Sequence, residues 1–136
     1  MKIKVLLLLL MAQLLVMPAY AADEAEMVED EVRYLDINPA IVTNYGGSGR
    51  MSYIKVEVSL QVGSQEEFAT VFHHSPSIRH ELVMLFGRQT DESIAIGEPR
   101  EAVRAEALAK VRAVMMEEEE AEMVDDLLFS SFLVQR

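Results

Sequence analysis

The chain contains no cysteine and no tryptophan, and only 7% of its residues are aromatic. Without cysteine it has no disulfide framework, no thiolate ligand for a metal and no cysteine nucleophile. Its stability must come from the packing of aliphatic side chains. A chain of 136 residues is long enough to bury one core of this kind.

Positive charge is also scarce. Twelve Lys and Arg residues stand against 23 Asp and Glu residues, which gives a formal net charge of −11. Because nucleic acids and anionic lipids are bound by basic surfaces, the composition argues against both as partners. The same acidity keeps a domain soluble, so it does not by itself identify a partner.

The one long apolar stretch lies at the N-terminus. Lys2 and Lys4 precede the stretch Val5 to Val16, and Ala19-Tyr20-Ala21 has the small residues of a signal peptidase site. This stretch has twelve residues, interrupted only by Gln13, and falls short of the roughly 20 apolar residues that span a bilayer. We therefore predict that residues 1–21 are a signal peptide and that the protein works in the periplasm. An uncleaved anchor in the inner membrane is the alternative.

The mature chain would begin at Ala22, and loss of the two lysines would lower its formal net charge to −13. Residues 22–31 are rich in acid and alanine and are predicted to form a flexible acidic leader. Residues 32–136 are predicted to form a single small domain.

Strand patterns dominate the first half of this domain. Residues 32–37 read as a short strand, Asn38-Pro39 as a turn and residues 41–45 as a further extended segment. Gly46-Gly47-Ser48-Gly49 then indicates a hairpin or flexible loop. From Ser52 to Val62 apolar and polar residues alternate, which predicts a strand with one buried face. The predicted core residues of that strand are Ile54, Val56, Val58, Leu60 and Val62.

Helical spacing follows. Ser64 and Glu67 fit a capping box, Pro76 suits the first turn of a second helix and Glu98-Pro99 opens a third. The predicted core-facing residues are Phe68, Val71 and Phe72 in the first helix, Ile78, Leu82, Leu85 and Phe86 in the second, and Val103, Ala107, Val111 and Val114 in the third.

Several features beside these helices lead to further expectations. Glu106 and Lys110 have the spacing of an ion pair, and the acidic run Glu117 to Glu120 should fray the end of the third helix, since negative charge opposes the helix dipole there. Arg79 should cover apolar surface with its stem and reach a carboxylate, with an exposed and dispensable arginine as the alternative.

The remaining segments complete an α+β architecture. Residues 90–96 are expected to form a turn and a short strand, and Leu127 to Gln135 an apolar closing strand inside the sheet. We predict an antiparallel or mixed sheet with about three helices packed on one face.

No residue pattern indicates catalysis. His73 and His74 end a helix and His80 lies on a helix flank, without further ligands in metal-site spacing. Neither Ser75 nor the pair Ser130 and Ser131 lies in a glycine-flanked nucleophile elbow, and the adjacent carboxylates Asp125 and Asp126 should point apart. We therefore predict no catalytic, cofactor-binding or metal-binding residues and no cofactor.

The order of the motifs resembles the FliL family of flagellar basal body-associated proteins. The resemblance covers residues 32–135, and its most specific part is the ending Val124 to Gln135, with two aromatics around small hydroxyl residues and a final glutamine. The other matching segments are Tyr34, Pro39, Asn44, residues 53–60, Pro76 to Leu82, Leu85-Phe86, Gln89-Thr90 and Arg100 to Val111.

This resemblance implies a stomatin-like (SPFH-like) periplasmic domain without catalytic residues. It also implies flagellar stator and basal-body proteins as partners, with self-association as an open question. The predicted cleavable signal makes contact with the inner membrane peripheral at most. Family members usually enter the membrane through an N-terminal helix, so this chain resembles a shortened form with a cleavable signal. The alternative function is a small acidic periplasmic adaptor or chaperone unrelated to motility.

Cleavage after Ala21 is the first testable prediction, because the apolar segment is short and a peptidase site follows it. The intact mass of the protein from a periplasmic extract should match a chain that begins at Ala22. Recovery of the full-length chain in the membrane pellet would instead indicate the uncleaved anchor.

Overall fold

The computed structural model describes residues 31–47, 49 and 51–136. The predicted signal peptide and the predicted acidic leader, apart from Glu31, lie outside the described residues. The elements follow in the order β1 (Arg33–Tyr45), β2 (Ser52–Val62), α1 (Gln65–His73), α2 (Ser75–Gly87), α3 (Glu98–Glu119) and β3 (Asp126–Gln135). In this part of the chain no helix combines the length and the apolar character that crossing a bilayer requires.

The strands form one antiparallel sheet in the order β1-β2-β3, which confirms the predicted α+β class. The prediction that the closing strand lies inside the sheet is wrong, because β3 is an edge strand. The glycine hairpin places β1 on one side of β2, so β3 can pair only on the other side. Gly46 and Gly47 have φ values of 87° and 76° in that hairpin, where glycine carries no Cβ penalty.

β1 is a single strand, whereas the sequence predicted two segments separated by a turn. Ile37 pairs with Val58 and Ile41 pairs with Val56, so three residues of β1 bulge opposite Glu57. The bulge accommodates Pro39, which lacks the N–H that a regular ladder needs, on an edge strand where this loss is tolerated. Ile37 and Ile41 therefore remain on the same buried face.

The core lies between the sheet and the helices. The five alternating apolar residues of β2 are at most 2% exposed, and the four predicted residues of α2 are fully buried, so both predictions are confirmed. Phe86 lies at the centre: its ring contacts Phe129 and Phe132 of β3 at centroid distances of 5.8 and 6.4 Å. These edge-to-face contacts join α2 to the strand furthest from it in the sequence.

α1 begins and packs partly as predicted. The Glu67 N–H donates to the Ser64 hydroxyl at 3.1 Å, which confirms the cap, but the Glu67 carboxylate accepts from the Gly63 N–H rather than from Ser64. Val71 is buried and Phe68 is partly buried. Phe72 is 62% exposed, contrary to prediction, because this short helix lies at the margin of the layer and only Val71 reaches the core fully.

Two predictions for α3 are wrong: the identity of its fourth core residue and the fraying of its C-terminal end. Val103, Ala107 and Val111 are buried, but Met115 continues the spacing of four and Val114 is only partly buried. The helix does not fray before Glu119, because buried Met115 anchors its last turn and His74 contacts Glu119 at 2.5 Å. Glu106 and Lys110 do not come within ion-pair distance in the described structure.

The predicted strand within residues 90–96 is a series of turns instead. The Thr90 N–H donates to the Ser93 hydroxyl at 2.9 Å and the Ser93 N–H donates to the Thr90 hydroxyl at 3.3 Å. Because these bonds satisfy the backbone locally, the segment needs no strand partner.

The burial of Phe86 leads to a stability prediction. Phe86→Ala should lower the free energy of unfolding by about 3–5 kcal/mol, since it removes a fully buried aromatic ring from the junction of α2 and β3. Urea unfolding of the exported protein measures this loss. Met84→Ala is the matched control on the same helix, because Met84 is 50% exposed and its truncation should cost far less. Coincident unfolding curves for Phe86→Ala and the parent would contradict the packing.

Candidate protein-binding surface

The three helices cover one face of the sheet, and no other element of the described residues covers the opposite face. We call this the open face; it consists of the side chains that alternate with the buried ones on each strand. Five large apolar residues are exposed on it, from 37% to 60%: Tyr34, Val42, Tyr53, Leu128 and Leu133. An open sheet face usually carries polar residues, so these five indicate a surface suited to a protein partner.

The apolar side chains concentrate at one end of the open face. Lys55 pairs with Val42 on one side and with Leu133 on the other, which places the three side chains in one row across the sheet. Val42 and Leu133 are 60% and 58% exposed, and with Tyr53 they line a shallow depression. The aliphatic stem of Lys55 can extend this apolar surface while its ammonium group stays in water.

A hydrogen-bonded cluster occupies the centre of the open face. The Ser59 hydroxyl donates to the Asp36 carboxylate at 2.5 Å, and Ser59 and Ser130 oxygens lie 2.9 Å apart. These side chains border a cavity of about 130 Å³ together with Asn38 and Glu57. No histidine or lysine is among the described residues that line this cavity, and its hydroxyl and carboxylate groups suit hydrogen bonding to a partner.

Three arginines of α3 contact β3: two hold its start, and the third lies over a ring further along the strand. Arg104 donates to the Asp126 carboxylate at 2.6 Å and to the Leu127 carbonyl at 2.7 Å. Arg112 donates to the carbonyls of Val124 and Asp125 at 2.8 and 2.7 Å. Arg100 lies over the Phe132 ring with its guanidinium carbon 4.4 Å from the centroid, a cation–π contact. These contacts orient the edge strand and its open-face residues.

Charge pairing shifts several pKa values near these contacts. The N–H of Leu127 and then the Arg104 guanidinium lower the pKa of Asp126, and Arg104 also lowers the pKa of Glu101. At the other end of the sheet, the Tyr45 hydroxyl donates to Asp91 at 2.8 Å and Arg136 donates to the same oxygen at 2.9 Å. Both bonds lower the pKa of Asp91, while burial and Asp91 raise the pKa of Tyr45.

The structure does not bring the three histidines together. His73 and His80 are exposed, and His74 at the α1–α2 junction contacts Glu119. Within residues 31–47, 49 and 51–136, no three His, Asp or Glu side chains are placed to hold a metal ion. Glu117 and Glu118 border a groove between α2 and α3 that also includes Pro76 and His80.

The other residues considered from the sequence are also separate. Ser75 begins α2, Ser130 belongs to the hydrogen-bonded cluster, and Ser131 lies opposite Glu57. Asp125 is exposed while Asp126 binds Arg104, so the two carboxylates do not converge.

Arg79 has a structural role of a different kind from the predicted one. Its guanidinium donates to the carbonyls of Pro39 and Ala40, at 3.2 Å in the second case, and not to a carboxylate. The bulge leaves these carbonyls without ladder partners, so the planar guanidinium can satisfy both together. Arg79 therefore ties α2 to the outer edge of β1.

Sequence reasoning missed the central cluster and the arginines of α3. Arg104 and Arg112 are separated by two spacings of four, which places them on one side of the helix, and this signal was present in the sequence. Asp36, Ser59 and Ser130 come from three strands, and only the pairing register brings them together.

Two comparisons with known proteins bear on this surface. Residues 34–135 match the family model of the flagellar basal body-associated protein FliL. The chain is also similar to the flagellar protein FliL of Aquifex aeolicus (strain VF5), with 22% identity over 99 residues. That alignment covers 73% of this chain and 59% of the relative, so the chain spans less than two thirds of the relative's length.

The contacts of Arg104 predict a pH effect on stability. Asp126 and Glu101 have lowered pKa values in the folded protein, so they contribute stability above their unfolded pKa values, and this contribution is lost as the pH falls through the folded values. Arg104→Gln should cost about 1 kcal/mol at neutral pH, chiefly through Asp126 and the Leu127 carbonyl. It should also make the acid-induced loss of stability smaller.

Urea unfolding at several pH values between roughly 7 and 3 measures both effects, because this range spans the ordinary carboxylate pKa values. Lys110→Gln is the control. This substitution removes one positive charge from the same helix, and Lys110 makes none of the bonds that Arg104 makes. Equal dependence on pH for Arg104→Gln and the parent would show that the bridge contributes nothing measurable.

Proposed function

The chain belongs to the FliL family of flagellar basal body-associated proteins, and we propose that it acts as a non-enzymatic accessory protein of the flagellar motor. The observation that carries the proposal is the match to the family over residues 34–135, which is almost the whole folded domain. The open face supports a binding role, since it combines exposed apolar side chains with a hydrogen-bonding centre. The domain would need no catalytic residue or cofactor for this role.

We place the domain, residues 32–136, in the periplasm beside the stator units, after removal of residues 1–21. The apolar N-terminal segment followed by a peptidase site supports export. The excess of acid over base supports a protein partner over a phosphate or lipid surface. A relationship to stomatin-like domains and contact with the inner membrane belong to the same proposal.

The apolar end of the open face is the proposed contact with the motor protein. Its row of Val42, Lys55 and Leu133 offers apolar area around the Lys55 ammonium group, which lies 3.6 Å from the Glu57 carboxylate. Burial of apolar area should dominate the affinity, in which case salt changes the association little. A strong decrease with salt would instead point to charge attraction at the rim.

Deletion of the gene should impair swimming or swarming, and the defect should grow as the external load rises, because a stator-associated protein matters most where torque is demanded. Soft agar and media of increasing viscosity measure this effect, with the parent gene returned as the control. Wild-type motility under every load would leave the unrelated periplasmic adaptor as the better explanation.

Two matched variants test the contact surface. Val42→Asp places a charge on the open face opposite Lys55, at a site where the folded domain tolerates a charge. The variant should reduce both the complementation of motility and the recovery of motor components by an affinity-tagged chain. Phe72→Asp adds the same charge at an equally exposed apolar residue of α1 and should leave both unchanged. Equal behaviour of the two variants would argue against the open face as the contact.

A further inference from the structure

The two edges of the sheet are not equivalent. The β1 edge is blocked at its centre, because Pro39 has no N–H to offer and Arg79 binds the carbonyls of Pro39 and Ala40. Among the described residues, β3 has a strand neighbour only in β2. From the described residues, no hydrogen bond from outside the sheet reaches the backbone of residues 128–135.

The β3 edge also lacks the usual protection against pairing. Natural edge strands carry charged side chains, proline or a covering segment. Leu127 to Gln135 contains neither a charged residue nor a proline, in a chain of which 26% is charged. The contacts of Arg104 and Arg112 cover the strand only as far as Leu127.

The sequence of this edge is self-complementary. Leu128-Phe129-Ser130-Ser131-Phe132-Leu133 reads the same in both directions around the Ser130–Ser131 bond. When such a strand pairs antiparallel with a copy of itself about that point, Leu128 lies opposite Leu133, Phe129 opposite Phe132 and Ser130 opposite Ser131. One step outward, Leu127 lies opposite Val134.

A palindrome centred on a bond would fail in a regular strand. Residues directly opposite each other in an antiparallel pair must lie on the same face, and in strict alternation positions 128 and 133 lie on opposite faces. β3 has one extra residue at its centre, since Val58 pairs with Phe129 while Glu57 pairs with Ser131. The extra residue shifts the alternation by one.

As a result, the two halves of β3 are symmetric in side-chain direction as well. Phe129 and Phe132 both lie on the helix side, where each contacts Phe86. Leu128 and Leu133 both lie on the open face and are 37% and 58% exposed. A two-fold axis normal to the sheet requires that residues opposite each other lie on the same face. The palindrome and the bulge together meet this requirement.

We propose that β3 is an interface between two copies of this chain, which pair antiparallel through residues 128–133 to form a continuous six-stranded sheet. Each copy presents the same patch, so the contact is closed and two-fold symmetric. The proposal is independent of the proposed role in the motor.

A disulfide test takes advantage of the absence of cysteine from the chain. Two single-cysteine versions of the full chain, Leu128→Cys and Leu133→Cys, carry different affinity tags, and their exported products are mixed, allowed to exchange subunits and oxidised mildly. Opposite residues of an antiparallel pair have Cα atoms about 4.5–5.5 Å apart, which a disulfide can join. The mixture should yield a disulfide-linked species that carries both tags.

Each variant alone is the matched control. Two copies of Leu128→Cys place their cysteines five residues apart along the paired strands, about 17 Å, which is beyond the reach of a disulfide. A bond that forms equally well in one variant alone, or no bond in the mixture, would overturn the proposed register.

Ser131→Lys tests the interface without disturbing the fold. Glu57 lies opposite Ser131 within the chain, so the single domain accommodates the lysine, but two such lysines meet beside the axis of the dimer. Sedimentation equilibrium should show a weight-average mass that falls by about half relative to the parent, as a dimer becomes a monomer. The melting temperature of the variant at low protein concentration confirms that it is folded.

Tyr34→Lys adds the same charge on the open face of β1 and should leave the mass unchanged, since Tyr34 lies opposite Gln61 and away from β3. A parent protein that sediments as a monomer at every accessible concentration would overturn the proposal. So would a parent oligomer whose mass Ser131→Lys does not change.

Discussion

Burial of one face of β2 beneath the helices is the constraint on which the rest of the domain depends. The chain has no disulfide, so five alternating aliphatic residues of this strand and the stripe of α2 must supply the core. Because β2 is central, Ile54, Val56, Val58 and Leu60 each pair with a residue of both neighbouring strands. Phe86 extends this packing to Phe129 and Phe132. The C-terminal strand is thereby held against a helix that lies some 40 residues earlier in the chain. Long-range contacts of this kind make such domains cooperative.

The same constraint creates the surfaces that are free to bind. Three helices are enough to cover one face of three strands, and they leave the other face without a layer of its own. Polar contacts then stabilise segments of β1 and β3 that apolar packing alone would not hold in place. Arg79 satisfies the carbonyls of the β1 bulge, and Arg104 and Arg112 hold the start of β3. These three of the twelve basic residues of the chain therefore direct their charge to partners within the domain.

The two edges and the open face of the sheet offer different surfaces to a partner. One edge is blocked by proline and arginine, while the other is uncharged and self-complementary, and the apolar row of the open face lies next to that second edge. Pairing of two copies would join two open faces into one larger surface, because an axis normal to the sheet keeps both helix layers on the same side.

The α+β class, the alternating strand, the stripe of α2 and the starts of the helices followed from the sequence, because periodicity and capping are local properties of neighbouring residues. The resemblance to the FliL family likewise rested on the order of local motifs. Residues such as Pro39, Phe72, Val114 and those of 90–96 were misread, since their environment depends on which elements lie beside them. The binding surface could not be read from the sequence in the same way. Asp36, Ser59 and Ser130 meet, and β3 becomes an exposed edge, only because strand pairing sets a register between segments far apart in the chain, and no local pattern encodes that register.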